Sequence, residues 1–473
     1  MSHKTLSLFN AQDMLMRPAK FAQIETLTTQ NPSCRGRISA VRSLSLLLST
    51  IWVFLFIGVA DVSQASDFTQ AATIESLSQL NPASPQIPDR TFNVKDFGAV
   101  GDGKTWDTEA FSKAIAKVES EGGGKLVVPK GTYLILPIKL CNNLDLHLED
   151  GTVLQAASTF TDYGLPEPET LEDQNEVKKK VQIPAPLISG HELHDVAISG
   201  SGAIDGAGTT WWAWSERASR AQPGRLVYPR PKMVVIDGCQ RLHISGITLR
   251  NSPMFHLVPK NVSDLVIEDV KFRSPSNAPN TDALDPTNCT NVLIRNCDFD
   301  VGDDDVVIKA GGHNILIEDC NIHHGHGISI GSETAEGIHD MLVRHCTIEG
   351  ADNGLRIKSM RGAGGLVERI HYDDVQMKNV ANAIVLDLTY VDNNRPNYHG
   401  DPNKIPKMQY IEFSNITAEN SRNAGKIKGL PDSHISNVTF HDVTVAADHD
   451  FVQENTDQVD LAQINRNIKK AQP

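Results

Sequence analysis

The sequence predicts an all-β chain wound as a parallel β-helix, closed at its front end by one short helix. Three observations carry that expectation. A four-residue unit, apolar–x–Asp/Asn/Gly/His–Cys/Val/Ile, begins at Ile244, Ile267, Ile294, Ile317, Val343, Tyr372, Phe413 and Phe440. Its steps of 23, 27, 23, 26, 29, 41 and 27 residues are too short for a strand–helix–strand unit and hold no helical pattern, but suit one turn of a solenoid. Finally, four polar clusters lie between Asn280 and Lys358 at a similar spacing: Asn280-Thr281-Asp282, Gly302-Asp303-Asp304-Asp305, Gly325-His326-Gly327 and Arg356-Ile357-Lys358. If the apolar segments are strands stacked about 4.8 Å apart, these clusters rise together on one face.

The elements follow in order. Residues 1–65 read as a leader. Arg35, Arg37 and Arg42 precede the apolar run Leu44–Ala60, which ends near the small-residue site Ser63-Gln64-Ala65, the charge, core and cleavage order of a secretory signal. Residues 66–90 are polar and Pro-bearing and read as a tether. From Phe92 the text changes. Ala110, Phe111, Ala114, Ile115 and Val118 fall at helical spacing after Asp107 and Thr108, with Gly122-Gly123-Gly124 as the stop. That helix would cover the apolar end of the first coil. Residues 91–450 then form a single solenoid domain, with 451–473 as a polar tail. Insertions at Thr159–Pro184, Ala207–Pro231 and Val391–Lys407 break the period and belong in loops beside the binding face. The Asn and Asp of the recurring third position tolerate left-handed backbone, so the sequons at Asn261, Asn288, Asn415 and Asn437 read as turn residues.

The formal net charge of −14 excludes a partner held by bulk attraction to a basic surface, such as nucleic acid or an anionic membrane. Removing residues 1–65, with six Lys/Arg and three acids, takes it to near −17. An anionic substrate must therefore meet a local basic patch. Cys297, Cys320 and Cys346 occupy one position in three successive units, which favours buried thiols over disulfides. No CxxC pair suggests a metal site.

Asp282, Asp303 and Asp304 would share a small area on neighbouring coils, where repulsion raises at least one proton affinity. One protonated and one ionised carboxyl suffice for glycoside hydrolysis. Strand alternation separates Asp303 from Asp304, so both can serve only if Gly302 marks a bend. The competing reading is a run of turn aspartates or a calcium site of hard oxygen ligands. His326 between two glycines fits a structural turn as well as a site. Arg356 and Lys358 project to one face and suit an anionic ligand, Arg by paired donors and Lys as a point charge; alternatively they neutralise the aspartates. Tyr390 reads equally as a binding phenol or a core aromatic.

The motifs NTD, GDD, GHG and RIK, in this order and spacing, resemble family 28 glycoside hydrolases, the polygalacturonases and related pectin-degrading enzymes. FNVKDFGAVGDG, GSGAIDG and the stretch around Asn251-Ser252-Pro253 are also similar to that family, and the likeness spans about Phe92 to Val445. It implies a right-handed parallel β-helix of the pectin-lyase-like kind and hydrolysis of α-1,4-galacturonan with inversion. Asp303 then resembles the general acid, and Asp282 and Asp304 the pair holding the attacking water, with His326 tuning the acid. Asn280, Arg356, Lys358 and Tyr390 would bind the galacturonate. Ala283 stands where glycine commonly follows NTD, and Asp305 where Cys, Ser or Asn often follows the acidic pair. Asp305 adds negative charge near an anionic sugar unless it faces away, as alternation from Asp304 suggests.

The expectation is a secreted, monomeric, inverting hydrolase of homogalacturonan. It has an anionic polysaccharide as partner, no metal or cofactor, no nucleic acid and no stable membrane association after leader removal. Inversion calls for acid and base carboxyls about 6.5–9.5 Å apart. Rhamnogalacturonan or xylogalacturonan hydrolysis, a calcium-dependent pectate lyase on a similar solenoid, and a non-catalytic glycan-binding β-helix are the rivals. The insertions could wall off one end of a groove, which leans towards exo attack.

Overall fold

The computed structural model describes residues 72–391, 401 and 403–469; the expected leader and most of the third insertion lie outside them. The chain winds as a parallel β-helix. Its strands pair in parallel, each with the equivalent strand of the next coil, from Thr91–Asn93 to Ile464–Ile468. The eight residues that open the recurring units form one in-register column, Ile244 to Phe440. Every third-position residue of the unit is left-handed: Gly246, Asp269, Asn296, Asp319, His345, Asp374, Asn415 and Asp442, with φ between 48° and 76°. There the chain turns a corner, and Asn or Asp accepts that backbone at low cost. The sequon asparagines Asn261, Asn288, Asn415 and Asn437 share it, with φ of 52–55°.

The interior is filled by repetition. Tyr372 stacks on Phe413 at 5.0 Å and Phe413 on Phe440 at 5.4 Å, while Phe272 stacks on Phe299 at 5.0 Å. Cys297, Cys320 and Cys346 are free, buried thiols in this stack, and burial pushes the Cys320 thiol well up. The cap helix, Thr108–Ser120, buries the five expected residues, and Phe111 meets Tyr133 edge-on at 5.7 Å. Asp107 does not cap it by side chain; its carboxylate accepts the backbone N–H groups of Val100 (2.7 Å) and Gly101 (3.1 Å) instead. The helix stops where Gly123 takes φ 117°, and a Cβ there would come within 2.4 Å of the Asn143 Cβ.

Two boundaries need correction. The stretch expected to be a tether (66–90) is, over residues 72–90, a strap laid along the solenoid. Its helix Ile74–Ser78 is capped by Thr73, and Leu77, 2 % exposed, covers the outward-facing column Val266, Leu293, Leu316 and Leu342. The Ser78 carbonyl accepts from Arg344 at 3.1 Å, and Asp195 accepts the Gln86 N–H at 2.6 Å. The cause is physical: four apolar side chains repeated on an outer face need cover. Leu77→Asp is therefore expected to cost about 1.5–3 kcal/mol, the worth of burying one leucine. A thermal melt reads this as a lowered Tm with kcat unchanged.

The expected tail is the other correction. Val452–Glu454, Thr456–Val459 and Ile464–Ile468 pair with the preceding coil, so the solenoid runs past residue 450 and covers what would have been an open edge. The first two insertions pack on each other. Phe160 contacts Trp211 and Tyr228 at ring distances of 4.7 and 4.9 Å, in a satellite core with Leu171, Val177 and Val181. No helix among the described residues is long and apolar enough to cross a membrane.

Candidate active site

Coil register builds the site. Val234, Leu257, Leu284, Val306, Ile328 and Leu355 align on successive coils. Two residues before each stand Lys232, Phe255, Asp282, Asp304, His326 and Asn353, so six coils each present one side chain at the same position. Three residues after Val306, Ile328 and Leu355 stand Lys309, Gly331 and Lys358, a second aligned set. Backbone bonds tie the coils together, from the Ala283 N–H to the Asp304 carbonyl at 2.9 Å and from the His326 N–H to the Asp303 carbonyl at 2.9 Å. Gly302 supplies the bend that puts Asp303 and Asp304 in one site. A Cβ on it would lie 2.2 Å from the Ala278 carbonyl oxygen, so no other residue fits there.

All eight candidates line two adjoining cavities of about 640 and 680 Å³ that share Asn280, Asp303, Lys358 and Tyr390. Asp304 is buried. Its two oxygens are held by Arg356, and by the Lys358 ammonium at 2.9 Å. Burial would raise its carboxyl, but the two cations outweigh burial and keep it well below the ordinary range. Arg356 also donates to Ser329 Oγ at 3.0 Å. Asp303 is more open, with 22 % of its side chain exposed, and meets His326 Nδ1 at 3.1 Å. The Asp304 N–H donates to its Oδ1 at 3.0 Å.

His326 lies among three acids, with Nδ1 3.4 Å from Asp304 and Nε2 3.4 Å from Asp352. Burial works against its charge, yet hydrogen bonds to Asp303, Asp304 and Asp352 push it up to about 12, so at neutral pH it is an imidazolium rather than a base. Lys358 also stands over the Tyr390 ring at 5.3 Å, which places that tyrosine at the site.

The sequence reading missed a second ion cluster. Lys309 reaches Asp282 Oδ2 at 3.0 Å and also donates to Asp285. Both aspartates are buried, and each keeps one oxygen with no protein partner. Burial pushes Asp282 well up, with Lys309 opposing and Asp285 adding repulsion. The clue was present: VVIK (306–309) ends an apolar strand in lysine as LRIK (355–358) does. Arg230 was also missed. It donates to Asn280 Oδ1 at 2.7 Å and to the carbonyls of Pro253 and Pro279, holding Asn280 in its left-handed conformation of φ 54°.

The Glycosyl hydrolases family 28 sequence model matches residues 122–465. The chain belongs to that family. A probable polygalacturonase of Vitis vinifera is 31 % identical over 371 residues, covering 74 % of each chain, and an exopolygalacturonase of Zea mays is 29 % identical over 73 % of this chain and 80 % of its own. The solved exopolygalacturonase of Thermotoga maritima superposes with a TM-score of 0.68 at 27 % identity, covering 83 % of this chain and 95 % of that one. A polygalacturonase from Erwinia carotovora gives 0.65 at 27 %, over 82 % and 99 %.

Asp305 is the departure expected to bring negative charge near the sugar, and its position explains how it is tolerated. It is fully buried, and one oxygen accepts the Gly327 N–H at 2.8 Å. Burial pushes its carboxyl well above the ordinary range, which favours the uncharged form. An acid whose folded pKa is raised destabilises the fold as pH climbs from about 3.9, its ordinary value, towards the folded value. Asp305→Asn keeps an acceptor for Gly327 and removes that loss. It is expected to show a Tm flatter between pH 4 and 7 than the parent, with a higher Tm at pH 7 and kcat within about twofold. Melts across pH check this, and a lower Tm at pH 7 would contradict it.

Proposed function

We propose that this protein hydrolyses α-1,4-galacturonosyl linkages of homogalacturonan with inversion, working from chain ends. The carrying observation is one floor that holds Asp282, Asp303 and Asp304 together with Arg356 and Lys358. Three carboxyls supply acid and base, and the two cations meet the carboxylate of the sugar being cut. Asp303, the most open of the three, protonates the leaving glycosidic oxygen. Asp304, kept ionised, and Asp282 hold the attacking water and take its proton, while the hydroxyl goes to the anomeric carbon. His326, charged, steadies Asp303 and Asp304. Arg356 and Lys358 hold Asp304, and an incoming sugar carboxylate shares them.

Attack from chain ends is supported by the cavity beside Asp282. Its walls, Ile183, Pro184, Tyr228 and Pro229, come from the two packed insertions. Exopolygalacturonases among its relatives agree. The expected secretory leader, residues 1–65, supports an enzyme that meets pectin outside the cytoplasm. A calcium-dependent lyase is disfavoured by the donors. Asp303, Asp304 and His326 lie close enough for a metal, but the ring is protonated and both Asp304 oxygens are taken by cations.

Proton NMR of the first product released from polygalacturonate tests the reading. Inversion of the α linkage gives the β anomer. An α anomer, or an ultraviolet-absorbing unsaturated product lost on chelation, would overturn it. Reducing ends should rise well before viscosity falls.

A further inference from the structure

The cavity of about 640 Å³ holds four basic side chains, Arg230, Lys232, Lys309 and Lys358, and three are engaged by the protein. Arg230 is bonded to Asn280 and two carbonyls, Lys309 to Asp282 and Asp285, and Lys358 to Asp304. Among the described residues the Lys232 ammonium makes neither a hydrogen bond nor an ion pair. Its ammonium stands 4.9 Å from the centre of the Phe255 ring, whose vicinity it shares with Lys309 at 4.4 Å. Neither Glu216 nor Glu333, which also line the cavity, is paired to it. Burial lowers the Lys232 ammonium, with attraction from Asp285 opposing. A half-buried cation without a partner is a standing cost that an anion can relieve.

Position specifies the anion. Lys232 heads the register column that runs through Phe255, Asp282, Asp304 and His326, two coil spacings or about 10 Å from Asp282 along the axis. A sugar at the cleavage point is met by Arg356 and Lys358 on the far side of Asp304. The cavity has the volume of roughly twenty waters at ~30 Å³ each, more than one sugar ring fills. Its neighbours Pro229 and Pro231 restrict the backbone that carries Lys232.

We propose that Lys232 binds the carboxylate of a third galacturonate, one unit beyond the two that flank the scissile bond, so that the walled cavity selects acidic trimers and longer chains over dimers. This rests on the polygalacturonase reading. Lys232→Met and Lys232→Arg would be compared with the parent on di-, tri- and tetragalacturonate. Expected for Lys232→Met is a tenfold to thirtyfold higher KM on trimer and tetramer, kcat within twofold, an unchanged dimer and substantial rescue by arginine. An unchanged trimer KM overturns the proposal. So does a fall in kcat that is equal for dimer and trimer, which would make Lys232 a modulator of Asp282 instead.

Calorimetry separates this failure from that of the reading beneath it. Trigalacturonate should bind Asp303→Asn at least tenfold more tightly than it binds the Asp303→Asn, Lys232→Met double variant, whereas digalacturonate should bind the two alike. If the parent cleaves no oligomer but this difference appears, the activity reading fails and the carboxylate site stands. Equal trimer affinities remove the site whatever the activity.

Discussion

Asp303→Asn is expected to lower kcat on polygalacturonate by about 10²–10⁴-fold, the usual contribution of a positioned general acid, while moving Tm little. Both halves follow from its setting. Asp303 is the most open acid of the three, its Oδ1 takes the Asp304 N–H, and its oxygens face the two cavities. Asparagine keeps the acceptor and loses the proton. Asp304→Asn should behave differently, because it strips Arg356 and Lys358 of their buried counter-charge and lowers Tm together with rate. Reducing-end release and a melt on each variant check the pair. Near wild-type release by Asp303→Asn would remove the acid from this position.

Lys309→Met should be the most damaging single change to stability near the site. It leaves Asp282 and Asp285 buried without their shared cation, and losing one partner of such a cluster costs about 3–5 kcal/mol. The effect on rate has a defined sign. A cation beside Asp282 favours its ionised form, so removing Lys309 raises that carboxyl further. Activity that needs ionised Asp282 is then lost from the acid side, and the acid limb of the kcat profile moves to higher pH. Lys309→Met with Asp285→Asn should recover part of the Tm by removing one stranded charge, and move the limb part of the way back, because the repulsion that Asp285 exerts on Asp282 goes with it. An unmoved acid limb would show that Lys309 is structural only.

The parallel coil was legible in the sequence because each turn repeats the same demand: an apolar residue inward, then a left-handed corner. Eight such units predict the column that runs from Ile244 to Phe440. Gathering Asp282, Asp304, His326, Arg356 and Lys358 on one face needed little beyond that period, and adding Asp303 needed the bend at Gly302. What stayed hidden depends on contacts between segments far apart in sequence. Leu77 contacts a strand as distant as the one holding Leu342, and no periodicity announces that reach. The final coil after residue 450 was hidden by composition, since its exposed, polar strands read like a tail. Arg230 was hidden because a lone cation in the text carries no mark of the buried amide it will meet, and Lys309 was marked only by the likeness of VVIK to LRIK.

The register column also makes the groove a ruler with fixed graduations. Each coil offers one side chain to the polymer at one height, so the enzyme can lengthen or shorten its reading of the substrate only in whole steps. Evolution or design that adds a coil between Lys232 and Asp282 would shift the far grip by one graduation and leave the chemistry in place. A one-residue slip in any strand would instead turn every graduation beyond it to the opposite face. Recognition length in this architecture is counted, and the unit of counting is the coil.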